Sequence, residues 1–455
     1  MITYAVPAFL HMLAHHGVGV TKLEIDGGLL LPLRPPHPHN PATSTYLAEY
    51  IWMALETQRV GGSGRIVSVR QSDFTARARA AADVAKANAH AVDAEARFPG
   101  EAFAELRKQR LLGIQVPQAL DGEGATIAEI ADICYILGQA CSSAGLIYAM
   151  HQIKMACMVR HFKNAPALDR VLRKIAAEQL LMASSTTEGQ AGGNVRSSEA
   201  PVVPDGDHVT LERKATVISY AVEADGIVTT ARRAADAAGN DQVLLVLLKS
   251  DYTLERLQVW DTLGMRGTHS EGFTLRARAV SGQIMPEPYE RIHSQTMVPF
   301  AHLLWGSVWA GIAAAATAKA QAFIRHVVRQ SNGQMPPGAA HFTQAVSTLR
   351  TLRGVLSANL HHYQGIMSDE KAISSLEFQA MITLTKVQAS ELAVTTVLSS
   401  LRACGLSGYR NDTEFSIGRL LRDVLSSPIM ISNDRILSNL ATTSLMTPLP
   451  TSISG

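Results

Sequence analysis

The stretch that decides the layout is HVTLERKATVISYAVEADGIVTTARR, residues 208–233. Val, Ile and Thr crowd into two short runs, with Asp225 and Gly226 between them. β-Branched residues suit a pleated, half-buried surface, and Asp-Gly punctuation marks where strands turn. DQVLLVLLKSDYTLERLQVW (residues 241–260) and GFTLRARAVSGQIM (residues 272–285) have the same character. Together they predict a small antiparallel β domain over residues 182–288.

Helical patterns flank this region on both sides. Upstream, FTARARAAADVAKANAHAVDAEARF (residues 74–98) is Ala-rich with charges scattered on one face. TIAEIADICYILGQACSSAGLIYAMHQIKMACMVRHF (residues 126–162) spaces apolar residues three and four apart, with a break at Ser142 to Gly145. These predict an α-helical domain over residues 71–181. Downstream of Pro299, the stretches 301–330, 341–367 and 375–405 are each long enough for a bundle helix, within a last domain over residues 289–455. Residues 1–70 differ. LLLPLRPPHPHNPATSTY is broken by prolines and RVGGSGR is a flexible joint, so the segment reads as an irregular extension, a docking arm or an unused upstream start. His37 and His39 lack metal-site spacing and read as solvated.

Bulk properties narrow the function classes. Among 455 residues, 47% are apolar and 18% charged, and Lys plus Arg exceed Asp plus Glu by 41 − 39 = 2. That balance gives no electrostatic reason to expect nucleic acid or an acidic membrane as partner. Cys134, Cys141, Cys157 and Cys404 form no C-x-x-C pair; they read as buried free thiols of a reducing compartment, which points to the cytoplasm. LLWGSVWAGIAAAATA, residues 303–318, is apolar for sixteen residues and then meets Lys319. A bilayer span needs roughly 20, so this reads as a buried helix.

Four phrases, in order along the chain, resemble the acyl-CoA dehydrogenase superfamily of flavoproteins. FAELRKQRLLGIQVPQALDGEGATIAEIADICYILGQACSS resembles its N-terminal signature, and SSTTEGQAGGN its T-E-P-G-A-G-S-D loop. WDTLGMRGTHS resembles its L-G-M-R-G-T-x-S turn, and CGLSGYRNDTEFSIGRLLRD the segment G-G-x-G-Y…R-x-x-R-D. The resemblance runs from about Ser72 to the end. It implies a mostly α fold with a central β domain: a helical N-terminal domain, a small antiparallel β domain and a C-terminal four-helix bundle, assembled as a homotetramer or homodimer around FAD.

The resemblance also assigns site residues. Ser185, Thr186 and Thr187 match the loop along the flavin, where hydroxyls and amides hydrogen-bond the ring. Glu188 matches the family's Glu, while Gly189, Gly193 and Asn194 replace its Pro, Ser and Asp. In KATVISYAVEADG, Thr216 stands where a Trp covers the ring, and Ile218 or Ser219 falls at the flavin-contacting hydroxyl position; Ser219 is the chemically capable one. Arg329 matches an Arg that grips the FAD pyrophosphate, commonly across a subunit interface, and Gly405, Gly408 and Tyr409 match the glycine-rich turn beside the cofactor. Arg422 and Asp423 read as a structural ion pair, and His361 and His362 as structural.

The catalytic acid is missing. In the family a Glu removes the α-proton of an acyl thioester while hydride passes to the flavin. Its two known positions fall here on Ile431, in VLSSPIMISNDRI, and on about Ala301. Asp434 lies three residues past the first, and His151, near the expected substrate cavity, is either a core histidine or a catalytic group. The expected activity is FAD-dependent oxidation of a CoA or carrier-protein thioester, with an electron-transfer protein as partner. One alternative is a monooxygenase of this fold using reduced flavin (FMN in place of FAD), dioxygen and a flavin reductase. The other is a non-catalytic, flavin-binding or partner-holding relative.

Overall fold

The computed structural model of the protein describes residues 21–23, 31–33, 73–163, 165–188 and 197–446. The chain divides into two units, Met1–Gln71 and Ser72–Gly455. In the first, strands β1 (Thr21–Leu23) and β2 (Leu31–Leu33) pair antiparallel. His37 and His39 lie outside the described residues, as do Gly189, Gly193 and Asn194.

The second unit opens with five helices: α1 (Phe74–Ala94), α2 (Gly100–Lys108), α3 (Ile127–Ala140), α4 (Ser142–His161) and α5 (Pro166–Glu178). Thr126 caps α3. Its side chain accepts from the Glu129 N–H, and Glu129 Oε2 accepts from the Thr126 N–H at 2.8 Å. Thr126→Ala is expected to cost about 1 kcal/mol in urea unfolding; an unchanged midpoint would mean the box contributes nothing. The break after α3 falls at Cys141, in extended backbone, one residue before the expected one, and Gly145 lies inside α4. Small residues here permit close helix contact: a Cβ at Gly138 would lie 2.5 Å from the Val308 carbonyl oxygen.

The β domain holds two sheets. One is antiparallel, in the order β4 (Val203–Asp205), β5 (His208–Ile218), β9 (Glu271–Val280), β8 (Tyr252–Gln258). The other, β3 (Met182–Ser185), β6 (Gly226–Arg232), β7 (Gln242–Leu248), contains one parallel pair, β3 with β6. Parallel neighbours need a long crossover, and β4 and β5 in the other sheet provide it.

Three long helices follow: α6 (Val298–Gln330), α7 (Ala339–Ile366) and α8 (Leu376–Cys404); shorter α9 (Gly418–Val424) and α10 (Asn433–Met446) pack onto α8. The helix leading into and including α6 is long and apolar enough to cross a membrane by composition, yet 83% of its most apolar window is buried. It is the axis of the bundle, packed against α3, α4, α7 and α8. A π-helical turn, His293–Met297, precedes it. Pro299 has no N–H to give the Gln295 carbonyl, and the Tyr363 hydroxyl bonds that oxygen instead at 2.8 Å. The four cysteines are buried and unpaired.

Candidate functional site

The loop after β3 is anchored from inside. Ser185 ends the strand with its hydroxyl buried and without a partner among the described residues, and Thr186 and Thr187 follow half-buried. Glu188 turns into the protein. Its oxygens accept from Ser198 Oγ at 2.8 Å and the Glu199 N–H at 2.7 Å, and Arg213 Nη1 lies 3.1 Å away. Arg213, on β5, also donates to Thr230 Oγ1 at 2.8 Å. This carboxylate is a structural anchor, already fully engaged. Above it opens a cavity of about 570 Å³ lined by Glu188, Pro201, Lys214, Thr216 and Gln258.

Strand β5 carries a bulge beside this cavity. The β5–β9 register shifts between Ala215 and Ile218, which turns Ile218 into the core and leaves Ser219 half-buried. Ser219 Oγ lies 2.8 Å from Ser270 Oγ, which lies 2.8 Å from Thr268 Oγ1; Thr268 donates to the Met265 carbonyl at 2.9 Å. Each hydroxyl has one proton, so the chain runs Ser219 to Ser270 to Thr268 to carbonyl. Ser219 is therefore left with lone pairs only, an acceptor toward anything placed beside it.

The turn carrying Thr268 and Ser270 is clamped by neighbouring helices. The Met265 N–H donates to Asp423 Oδ1 at 2.8 Å, and a Cβ at Gly264 would sit 2.1 Å from the Arg422 carbonyl oxygen. Arg422 bonds Asp93 Oδ1 and the Leu263 carbonyl, each at 2.9 Å. Arg422 and Asp423 thus serve as two separate ties to this turn instead of one mutual ion pair. Burial pushes the Asp423 carboxyl up from its ordinary range.

The segment that the resemblance sets at the base position, VLSSPIMISNDRI, carries one carboxylate, Asp434. Ile431 has φ +51°, and its carbonyl accepts from Lys386 Nζ at 2.9 Å. Lys386, buried on α8, also donates to Asn433 Oδ1 at 2.7 Å and lies 5.7 Å from the Trp309 ring centre. Burial pushes its ammonium down to about 8. Ala301 is buried in the first turn of α6, and Asp434 is exposed in the first turn of α10. His151 is fully buried; Nδ1 accepts from the Met182 N–H at 3.0 Å and Nε2–H donates to the Leu112 carbonyl at 2.8 Å. With both nitrogens committed, it serves packing and has no atom free for proton transfer. Lys386 escaped the sequence reading because one cation within a helical repeat looks like a solvated face.

Arg329 is exposed in the last turn of α6, without a hydrogen-bond or ion-pair partner among the described residues. The loop it opens returns along α8, with Gly338 against Ala403. α8 then ends at Gly405, whose φ of +53° and ψ of −135° suit only glycine; Gly408 is buried and Tyr409 exposed. Arg329 and the glycine-rich turn thus share one end of the bundle. Ser219 and the loop after β3 belong to the β domain. A second and larger cavity, about 1160 Å³, lies where Gln242 of β7 meets Tyr289, His293, Gln379 and Asn439. No cluster among the described residues could hold a metal ion.

Residues 68–179 match the family model of the acyl-CoA dehydrogenase N-terminal domain. The probable acyl-CoA dehydrogenase YngJ of Bacillus subtilis strain 168 is 22% identical over 74% of this chain and 87% of its own. FMN-bound TdsC from Paenibacillus sp. A11-2 superposes with a TM-score of 0.73 at 15% identity, over 83% of this chain and 98% of its own. Methanesulfinate monooxygenase MsuC from Pseudomonas fluorescens gives 0.71 at 17% identity, over the same shares.

Proposed function

Because the chain belongs to the acyl-CoA dehydrogenase superfamily and has its fold, we propose that it is a flavin-dependent oxidoreductase of a small molecule, working as a monooxygenase. The observation that carries this reading is Ile431, an aliphatic side chain at the base position, with its carbonyl held by the Lys386 ammonium. Removing an α-proton needs an acceptor, and neither Ile431 nor Ala301 is one. Glu391, the carboxylate in contact with this segment, accepts from Asn433 Nδ2 at 2.7 Å, while Glu188 is bound to Arg213 and Asp423 accepts from the Met265 N–H. MsuC, with which the chain shares its fold, is named a monooxygenase.

The residues present fit a flavin. The partnerless Ser185 hydroxyl has a hydrogen bond to give, and Ser219 can accept one from a ring N–H. Thr216 leaves a ring face uncovered where the family has Trp. Bound in reduced form, flavin would supply two electrons to dioxygen, one oxygen atom going to substrate and the other to water. Glu188 ties the end of β3 to Ser198 and Glu199 beside the cavity, and Lys386 fixes the backbone at Ile431. We take FMN as the cofactor on this reading, with FAD the cofactor on the dehydrogenase reading, a reductase or electron-transfer protein as partner, a homotetramer or homodimer as the assembly and the cytoplasm as the location.

A second reading, oxidation of an acyl thioester, is favoured by the name of YngJ, a probable acyl-CoA dehydrogenase. Anaerobic titration with a panel of acyl-CoAs separates the two. The expected result is that the flavin-loaded protein stays oxidised, while reduced flavin binds and is consumed with oxygen. Bleaching by any acyl-CoA would overturn the monooxygenase reading in favour of dehydrogenation. Failure to bind oxidised or reduced flavin would leave a non-catalytic relative.

A further inference from the structure

We propose that the cavity of about 1160 Å³ between the β domain and the bundle is a binding site for an uncharged, polyhydroxylated ligand, a carbohydrate by chemical class. Carboxamides from separate elements meet there: Gln242 from β7, Gln295 from the π-helical turn, Gln379 from α8 and Asn439 from α10. A carboxamide sets donors beside an acceptor, and neighbouring sugar hydroxyls, each able to give and to accept, match that pairing. Among the described lining residues only Glu290 and Arg291 are charged. Arg291 is paired with Glu287 and Glu370, and Glu290 is exposed. A charged ligand therefore finds no unpaired buried partner, and a wholly apolar one would strand the amides. Leu376, Ala380 and Leu440 supply an apolar strip for the C–H face of a ring.

The walls are fixed before any ligand arrives. The π-helical turn presents His293, Ser294 and Gln295 in succession to the cavity, and turns of this kind recur at functional sites. It is braced from behind. Thr296 Oγ1 donates to His161 Nε2 at 2.7 Å and accepts from Arg160 Nε at 3.0 Å, while His161 Nδ1–H donates to Glu287 Oε2 at 2.7 Å. Toward the cavity, Gln379 Nε2 donates to the Ser294 carbonyl at 3.0 Å, which leaves its Oε1 to accept from a ligand. Thr383 and Asn439 line the cavity without a hydrogen-bond partner among the described residues. On α10, Ile436, Asn439, Leu440 and Thr443 follow at three- and four-residue steps, so one face of that helix borders the cavity. Its first residue, Asn433, is held by Lys386 at 2.7 Å. A preformed wall spares a ligand the cost of ordering it.

The inference goes beyond the flavin reading and is tested without redox chemistry. Maltose is titrated into the full chain and its binding followed by saturation-transfer NMR. Wild type is expected to give a saturable signal at millimolar maltose. With Thr383→Val and Asn439→Leu combined, the half-saturating concentration should rise about tenfold, the loss of two hydrogen bonds. Both positions are at least partly exposed, and each single variant serves should the double variant not fold. Glucose should compete with maltose, and glucuronate should not. No saturable signal in wild type, an unchanged titration in the variants, or equal competition by glucuronate would overturn the site. Displacement of maltose by FMN would assign the cavity to the flavin and overturn it as well. Failure to bind flavin with the maltose response intact would sink the flavin reading alone.

Discussion

Glu188→Ala is expected to lower the folding free energy by roughly 3–5 kcal/mol, the cost of stranding a buried charge. The carboxylate is 6% exposed and is the only described one in contact with the Arg213 guanidinium, itself inside the β domain. Its removal frees Ser198 Oγ and the Glu199 N–H as well, so the return of the loop toward β4 loses its tie. The measurement is the urea midpoint at unchanged slope. A loss below about 1 kcal/mol would show that water reaches Arg213 and that the pair is not a core feature.

Acid should destabilise the protein well before its surface carboxylates titrate. His151 and His302 are buried, and burial pushes each imidazole down from 6.5 to about 4. His151 lies near Arg107 and Asp225, and His302 near Lys386, but desolvation is the largest cause at both. Between pH 6.5 and about 4 the unfolded chain takes up a proton on each ring that the folded chain refuses. Stability therefore falls as pH drops through that window, and these two groups add nothing further below it. A difference of 6.5 − 4, about 2.5 units at about 1.4 kcal/mol each, gives up to about 3 kcal/mol per histidine. His269 acts in the opposite sense and above this window, because Glu223 raises it. Urea midpoints at about pH 7 and about pH 4.5 check the expectation, with His302→Gln as the comparison. A flat profile, or an unchanged slope in the variant, would show that the rings reach solvent.

That Ile431 and Ala301 cannot accept a proton was legible in the residues themselves, wherever they lie. Other features needed contacts that no local pattern carries. A bulge in β5 decides that Ile218 is buried and Ser219 half-buried, and nothing in the local pattern marks it. Asp93 as the partner of Arg422 lies more than three hundred residues away in the chain.

The sequence by itself determined the order of the layers: helices, then strands, then long bundle helices. Period-two and three-to-four spacings report which face of each element must leave water, and that is a local property. The tertiary structure alone decided what meets at those buried faces. Glu188 meets Arg213 because the end of β3 docks beside β5, and Lys386 holds Ile431 because α8 runs beneath that loop. Side-chain partners across such packing depend on how distant elements dock, and spacing along the chain carries no record of it.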